Sequence, residues 1–178
     1  MPSRRLAWSL AAAALLAAST APAEVVEAGD TGFTLKETVV VHADAASAYA
    51  AVLAVGKWWA PAHTYSGDAA NLSIDARPLG CWCEKLPDGG SVRHMDVVMM
   101  MPGKMLRFVG GLGPLQGMGV HGAMTWTFKP AEKGTSVEVT YAVGGHAANG
   151  FKEIAAGVDG VLHGQVERYG RFLDTGKP

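Results

Sequence analysis

The chain has 178 residues, and its 15 Lys and Arg against 16 Asp and Glu leave a formal net charge of −1. A nearly neutral chain without a cluster of basic side chains lacks the electrostatic surface that binds nucleic acid. Its two cysteines are too few to form a disulfide scaffold, so burial of apolar side chains must stabilise the fold. These numbers exclude nucleic-acid-binding proteins and small disulfide-rich domains.

The first 23 residues have the layout of a secretory signal peptide. Arg4 and Arg5 precede a short apolar run, and Ala21 and Ala23 place small residues at positions −3 and −1 of a cleavage site before Glu24. The apolar run is shorter than the roughly 20 residues that a transmembrane helix needs. We therefore expect an exported protein, periplasmic or secreted, with no stable membrane span.

The first part of the mature chain predicts a strand followed by a helix. We interpret residues 24–32 as a loose leader and residues 33–175 as a single domain. Apolar and polar residues alternate over residues 33–42, which predicts a strand. An Ala-rich helix follows Asp44, a residue type that is suited to an N-cap.

The second part predicts a series of strands and then a long helix. From residue 71 onward, six strand-like segments alternate with turns such as Pro-Asp-Gly-Gly and Pro-Gly-Lys. Apolar residues at helical spacing over 151–173 predict a C-terminal helix, and by helical angle Gly157 lies away from this apolar stripe. The order predicts an α+β fold, with an antiparallel sheet of about seven strands and a long C-terminal helix.

Several segments in this order resemble a known superfamily. They are VVVHADAASAYAAVLAVGKWW, LGCWCE, GGSVRHMDVV, GTSVEVTY and the terminal VDGVLHGQVERY, which together span most of residues 33–173. The chain resembles the START-like or Bet v 1-like superfamily, in its SRPBCC division and the branch called activator of Hsp90 ATPase homologue 1-like. The resemblance implies a helix-grip fold, in which a curved sheet wraps a long C-terminal helix and encloses an apolar cavity.

The same resemblance implies a range of functions rather than one. Members of the superfamily bind lipids, polyketides or other hydrophobic molecules; some are cyclases, dehydrases or aromatases, and others are cochaperones. The superfamily has no shared catalytic motif, and we expect no cofactor. An exported chain would not meet a cytosolic ATP-dependent chaperone, so we do not expect a cochaperone function.

Strand register predicts which side chains face the cavity. If Pro87–Gly90 form a four-residue loop, Glu84 faces Arg93 and Trp82 faces Met95, and a two-residue loop at the next turn pairs Met99 with Leu106. Glu84 and Arg93 would then form an ion pair at the cavity mouth. The predicted cavity residues are Trp82, Glu84, Arg93, Met95, Val97, Met99, Leu106, Phe108, Met124, Trp126 and Tyr141.

The same register places Cys81, Cys83, His94 and Asp96 together on the opposite face of the sheet. Three hypotheses remain open for the cysteines: small apolar side chains, ligands of a metal ion such as zinc, or a disulfide or redox pair. A disulfide needs a bulge, because residues i and i+2 of a regular strand lie about 6.6 Å apart at Cα. A loop with an odd number of residues would separate His94 from the cysteines and remove the metal site.

The first functional hypothesis is an exported, non-enzymatic carrier or sensor of a hydrophobic small molecule, bound in the cavity. A second is a cyclase, dehydrase or hydrolase that acts on such a molecule, with Glu84, Arg93 or a histidine as acid–base groups. His121 and His63 are the histidines that we expect at the cavity mouth. A third is an interaction module with a filled core. The sequence does not indicate an oligomeric state.

Overall fold

The computed structural model of the protein describes residues 24–178, and the predicted signal peptide lies outside these residues. The strands are β1 (Glu24–Ala28), β2 (Gly32–Val41), β3 (Leu72–Ile74), β4 (Cys81–Lys85), β5 (Ser91–Met101), β6 (Met105–Val109), β7 (Val120–Ala131) and β8 (Gly134–Gly145). The α-helices are α1 (Ala45–Leu53) and α2 (Lys152–Thr175). The strands form one antiparallel sheet in the order β1-β2-β8-β7-β6-β5-β4-β3. The predicted α+β fold with a long C-terminal helix is confirmed.

The sheet of the described residues has eight strands, because the segment interpreted as a loose leader begins with β1. Strand β1 pairs antiparallel with β2, with Val25 opposite Leu35 and Ala28 opposite Phe33. Val25 and Val26 are 39% and 53% exposed, so β1 buries few apolar side chains and carries little of the alternation that identifies a strand. Strand β1 forms hydrogen bonds with backbone groups that would otherwise be unpaired at the edge of β2. The side-chain pattern of the sequence does not reveal this pairing.

The first helix begins as its sequence predicts. Asp44 caps α1, and its carboxylate accepts a hydrogen bond of 2.7 Å from the backbone N–H of Ser47. The hydroxyl of Tyr169 on α2 donates to the carbonyl of Ala48 at 2.7 Å, in a buried contact. This bond fixes the position of α1 relative to the C-terminal half of α2.

Aromatic rings fill the core beside the C-terminal half of α2. Trp58, Trp126 and Tyr169 are fully buried, and their ring centroids lie 5.2–5.9 Å apart. The part of the interior beside the C-terminal half of α2 is therefore filled by side chains. Among residues 24–178, no helix is long and apolar enough to cross a membrane.

Candidate functional site

The hairpin between β4 and β5 has a different register from the predicted one near its turn. Lys85 lies opposite Ser91, so the loop has five residues, and Cys83 lies opposite Arg93. Within the loop, Asp88 and Gly89 both have positive φ, of 58° and 79°. The Pro-Asp-Gly-Gly sequence fits both even and odd loops, and for this reason the sequence does not decide between them.

A β-bulge then restores the predicted register. Trp82 lies opposite Met95 and Cys81 opposite Asp96, so His94 is an extra residue in β5. The bulge turns His94 and Met95 toward the same inner side, where they are 5% and 1% exposed.

The bulge also changes the partner of Glu84. Arg93 points outward, with a side chain that is 63% exposed, and forms an ion pair with Asp96. The predicted ion pair between Glu84 and Arg93 is therefore wrong. Glu84 is 1% exposed, and its Oε2 lies 3.0 Å from Nε2 of His94.

The two cysteines form a disulfide. Their Cα atoms are 5.4 Å apart, closer than in a regular strand, and β4 has a register irregularity between Trp82 and Cys83. The metal hypothesis is wrong: the disulfide occupies both sulfur atoms, and His94 lies on the other face of the sheet. Within residues 24–178, no group of three or more potential metal ligands is placed to hold an ion.

A second bulge follows in the same strand. Val97 pairs with Phe108 as predicted, but Met99 then lies opposite Arg107, and Met100 takes the place opposite Leu106. Met99 is 37% exposed, so its assignment to the cavity is wrong. The turn after β5 has three residues rather than two, which requires this compensating bulge.

A cavity of about 400 Å³ lies between the N-terminal half of α2 and two loops. Helix α2 contributes Ile154, Gly157, Val158, Val161 and Leu162 to its wall. The loop over residues 59–65 contributes Trp59 and Tyr65, and the loop over residues 112–118 contributes Leu115 and Met118. His94 and Tyr141 line it from the sheet.

Of the predicted cavity residues, Tyr141 lines this cavity. The other apolar residues of that set, except Met99, are buried in the core and are not part of the cavity wall: Trp82, Met95, Val97, Leu106, Phe108, Met124 and Trp126. Their bulk explains this placement, because Trp82 packs against Trp59 at 5.0 Å and against Phe108 at 5.6 Å between ring centroids.

Two histidines and one glycine of α2 differ in their positions relative to the cavity. His63 lines the cavity as expected, whereas His121 is exposed and is not part of its wall. Gly157, which helical angle placed away from the apolar stripe, also lines the cavity. The helical angle did not predict this position, because the cavity lies beside the apolar stripe of α2, where the helix faces a loop rather than the sheet. The residues of the two loops carry no periodic signal that identifies them in the sequence.

Partly buried hydrogen bonds hold the two loops in place. Gln165 of α2 accepts a hydrogen bond of 2.8 Å from the backbone N–H of Ala60, and Arg168 donates one of 2.8 Å to the carbonyl of Trp58. On the opposite wall, the Tyr141 hydroxyl accepts from the N–H of Leu112 at 3.0 Å and donates to the carbonyl of Gly110 at 3.2 Å. Both cavity walls are thus tied to the helix or the sheet.

Glu84 and His94 form a buried polar pair at the base of the first loop. Oε1 of Glu84 accepts a hydrogen bond of 2.5 Å from the backbone N–H of Ser66. Burial raises the pKa of Glu84, but hydrogen bonds from Ser66, Tyr65 and His94 outweigh it, so the net shift is downward. Burial also lowers the pKa of His94, against the opposing effect of Glu84. At neutral pH the pair is a carboxylate and a neutral imidazole.

These charge states determine the tautomer of His94. An ionised carboxylate only accepts hydrogen bonds, so the proton of the neutral ring lies on Nε2 and is donated to Glu84. Nδ1 is then an acceptor, and it is buried with no hydrogen-bond partner among the described residues. The ring of Tyr65 stacks on the imidazole, with centroids 6.0 Å apart and an interplanar angle of 18°.

Several solved structures share this fold at low sequence identity. An uncharacterised protein from Rhizobium leguminosarum is 19% identical with a TM-score of 0.59, and the match covers 85% of this chain and 95% of that one. CalU16 from Micromonospora echinospora is 14% identical with a TM-score of 0.57, covering 92% of this chain and 87% of that one. DynU16, described as a protein in the dynemicin biosynthetic locus, is 20% identical with a TM-score of 0.56, covering 82% of this chain and 48% of that one.

No family model matches the chain, and no curated protein matches it. At the identities of the solved structures, the likeness shows the fold alone. The shared architecture is an antiparallel sheet of eight strands in this chain, packed against a long C-terminal helix. The protein therefore has the helix-grip fold that the sequence predicted.

Proposed function

We propose that the protein binds a hydrophobic small molecule in the cavity beside α2. The observation that carries this proposal is the cavity itself: its volume of about 400 Å³ and its walls of aliphatic and aromatic side chains with few polar groups. Ligand sites in proteins have volumes of roughly 300–1,000 Å³ and this kind of wall. The placement of DynU16, a protein of the same fold, in a biosynthetic locus is in keeping with a small-molecule ligand.

The test is a binding titration with matched cavity variants. A Cβ atom at Gly157 or at Gly160 meets no atom within 4 Å, but only Gly157 lines the cavity. We expect naphthalene to change the fluorescence of Trp59, and Gly157→Leu to weaken its binding at least tenfold while Gly160→Leu leaves it unchanged. Equal affinities in both variants, or no binding by the unmodified protein, would reject the proposal.

We further propose that the protein acts after export, in the form that begins at Glu24. The disulfide between Cys81 and Cys83 supports this, because disulfides persist in oxidising compartments outside the cytoplasm. Intact mass measurement of protein purified from its own host tests the proposal. We expect a chain that starts at Glu24 and is lighter by the two hydrogens that the disulfide removes. A chain that retains residues 1–23 would contradict it.

Assignment to the activator of Hsp90 ATPase homologue 1-like branch stays part of the proposal, and it rests on the order of the sequence segments. A function as a cochaperone is not proposed, because an exported chain would not meet the cytosolic chaperone.

A second candidate function is acid–base catalysis on a bound ketone, and the pair of Glu84 and His94 favours it. An unprotonated Nδ1 that is backed by a carboxylate has the arrangement of a general base. Nδ1 would take a proton from the carbon beside a carbonyl group; the electron pair of the C–H bond would form a carbon–carbon double bond, and the π pair of the carbonyl group would move to its oxygen, which gives an enolate. Return of the proton to carbon completes the cycle.

Hydrogen exchange tests this candidate directly. We expect the protein in D₂O to accelerate the exchange of the acidic C–H protons of 2-tetralone, measured by ¹H NMR, and His94→Phe to abolish the acceleration. His121→Phe is the matched control, since His121 is exposed and outside the cavity wall. An exchange rate equal to that in buffer would exclude the function.

A further inference from the structure

The polar groups of the cavity wall differ in whether they are available to a ligand. The Tyr141 hydroxyl is already engaged as both donor and acceptor, and the Thr64 hydroxyl donates to the carbonyl of Pro61 at 2.7 Å. His63 and Glu153 also line the cavity, but both are exposed to water, which satisfies them. His94 differs from all of these, because it is 5% exposed and its Nδ1 has no partner within residues 24–178.

We propose that Nδ1 of His94 accepts a hydrogen bond from the ligand, and that the ligand is an apolar molecule that carries a weakly acidic hydroxyl group, such as a phenol or an enol. This inference rests on the proposed function, since it names the ligand class of the same cavity. A buried acceptor that lacks a partner among the described residues favours ligands that bring a donor.

The chemistry of the pair narrows the class of donor. The carboxylate of Glu84 accepts the Nε2 proton and thereby raises the basicity of Nδ1, which strengthens a hydrogen bond from an acidic hydroxyl. A ligand carboxylate would bring a second negative charge close to Glu84 in a buried setting, and this disfavours it. An ether or a hydrocarbon has no proton to donate.

Tyr65 is the neighbour of the His94 ring that can move to admit a ligand. Nδ1 is covered in this structure, and the ring of Tyr65 stacks on the imidazole from the loop side. Tyr65 itself lines the cavity and is 54% exposed, so its side chain can move into solvent without losing a buried position. An aromatic ligand can then stack on the imidazole in its place.

Three bicyclic probes of similar shape test the inference: 2-naphthol, 2-methoxynaphthalene and naphthalene. The first offers a hydroxyl donor, the second retains the oxygen without the proton, and the third has neither. We expect the unmodified protein to bind 2-naphthol roughly tenfold more tightly than the other two, as one hydrogen bond to a buried acceptor provides. Binding is measured by titration calorimetry at neutral pH.

Two variants test whether the preference for 2-naphthol depends on His94. In His94→Phe the preference for 2-naphthol should disappear while all three probes still bind, and in His121→Phe the preference should be retained. Circular dichroism establishes that each variant is folded. If His94→Phe does not fold, the comparison of 2-naphthol with 2-methoxynaphthalene on the unmodified protein decides by itself.

The binding data distinguish failure of the inference about His94 from failure of the proposed function. Equal affinity of the unmodified protein for all three probes would overturn the inference about His94 and leave the apolar cavity as the binding site. A preference for 2-naphthol that survives in His94→Phe would also overturn it. If none of the probes binds, the proposed function fails together with the inference.

Discussion

The carboxylate of Glu84 and the imidazole of His94 lie 3.0 Å apart because β5 contains one residue more than β4 at this point. Without that bulge, His94 would not turn inward, and Glu84 would keep only its hydrogen bonds from Ser66 and Tyr65. A buried carboxylate is disfavoured unless its oxygens accept hydrogen bonds. The bulge therefore supplies the partner of Oε2, and it also brings an imidazole into the cavity wall.

The pKa values of two histidines are expected to shift in opposite directions. Burial lowers the pKa of His94 below its ordinary value of 6.5. The hydrogen bond from His163 Nδ1 to Glu37, with the two atoms 3.1 Å apart, raises the pKa of His163 above the same value. An NMR pH titration of the imidazole resonances should show this order. Equal pKa values, or the reverse order, would contradict the two environments.

The same shifts give opposite contributions to the pH dependence of stability. Because the pKa of His94 is lower in the folded state, its contribution is present above about pH 6.5 and is lost as the pH falls toward the folded pKa. Because the pKa of His163 is higher in the folded state, its contribution is present below about pH 6.5 and is lost as the pH rises through the folded pKa. Glu37→Gln should lower the pKa of His163 and leave that of His94 unchanged.

The disulfide should contribute little to stability. Cys81 and Cys83 close a loop of only a few residues, for which the loss of unfolded-state entropy corresponds to roughly 1–2 kcal/mol. The double variant Cys81→Ser, Cys83→Ser should therefore lower the free energy of unfolding by no more than about 2 kcal/mol, measured by urea denaturation. A loss much above this range would mean that the disulfide also maintains the bulge beside it.

Two glycines of α2 should respond to alanine with opposite signs. A Cβ at Gly160 meets no atom within 4 Å, so Gly160→Ala should raise the free energy of unfolding by about 1 kcal/mol through helix propensity. A Cβ at Gly170 would lie 2.9 Å from a methyl group of the buried Val39 on β2, so Gly170→Ala should lower it by about 1–3 kcal/mol. Thermal and urea denaturation measure both. An equal effect of the two substitutions would contradict the close packing of α2 on β2.

The hydrogen bond from Ala60 to Gln165 should hold the first loop against α2. Gln165→Leu leaves the N–H of Ala60 without its acceptor in a partly buried position, at a cost of about 1–3 kcal/mol in the free energy of unfolding. Gln116→Leu is the control, because Gln116 is exposed and its bond to the carbonyl of Arg93 lies at the surface. We expect it to change stability by less than about 0.5 kcal/mol. Similar losses in both variants would mean that the bond does not hold the loop.

Much of the fold could be predicted from the sequence, because the spacing of apolar and polar side chains along a strand or helix is a local property. The apolar stripe of α2, the N-cap at Asp44 and the burial of Trp82 and Phe108 follow from side-chain periods that tertiary contacts do not alter. Strand β1 was missed because its edge position leaves Val25 and Val26 partly exposed, which weakens the same signal.

The sequence by itself determined the order of strands and helices after β1 and the buried face of most strands, and its resemblance to a known superfamily implied the helix-grip fold. The tertiary structure decided the bulge at His94, the disulfide and the position of the cavity. A single extra residue in a strand reverses the face of its neighbours, and whether it occurs depends on the loop conformation and on the packing of distant segments. The cavity, likewise, is the space that α2, the sheet and two aperiodic loops leave between them, and no local pattern encodes that space.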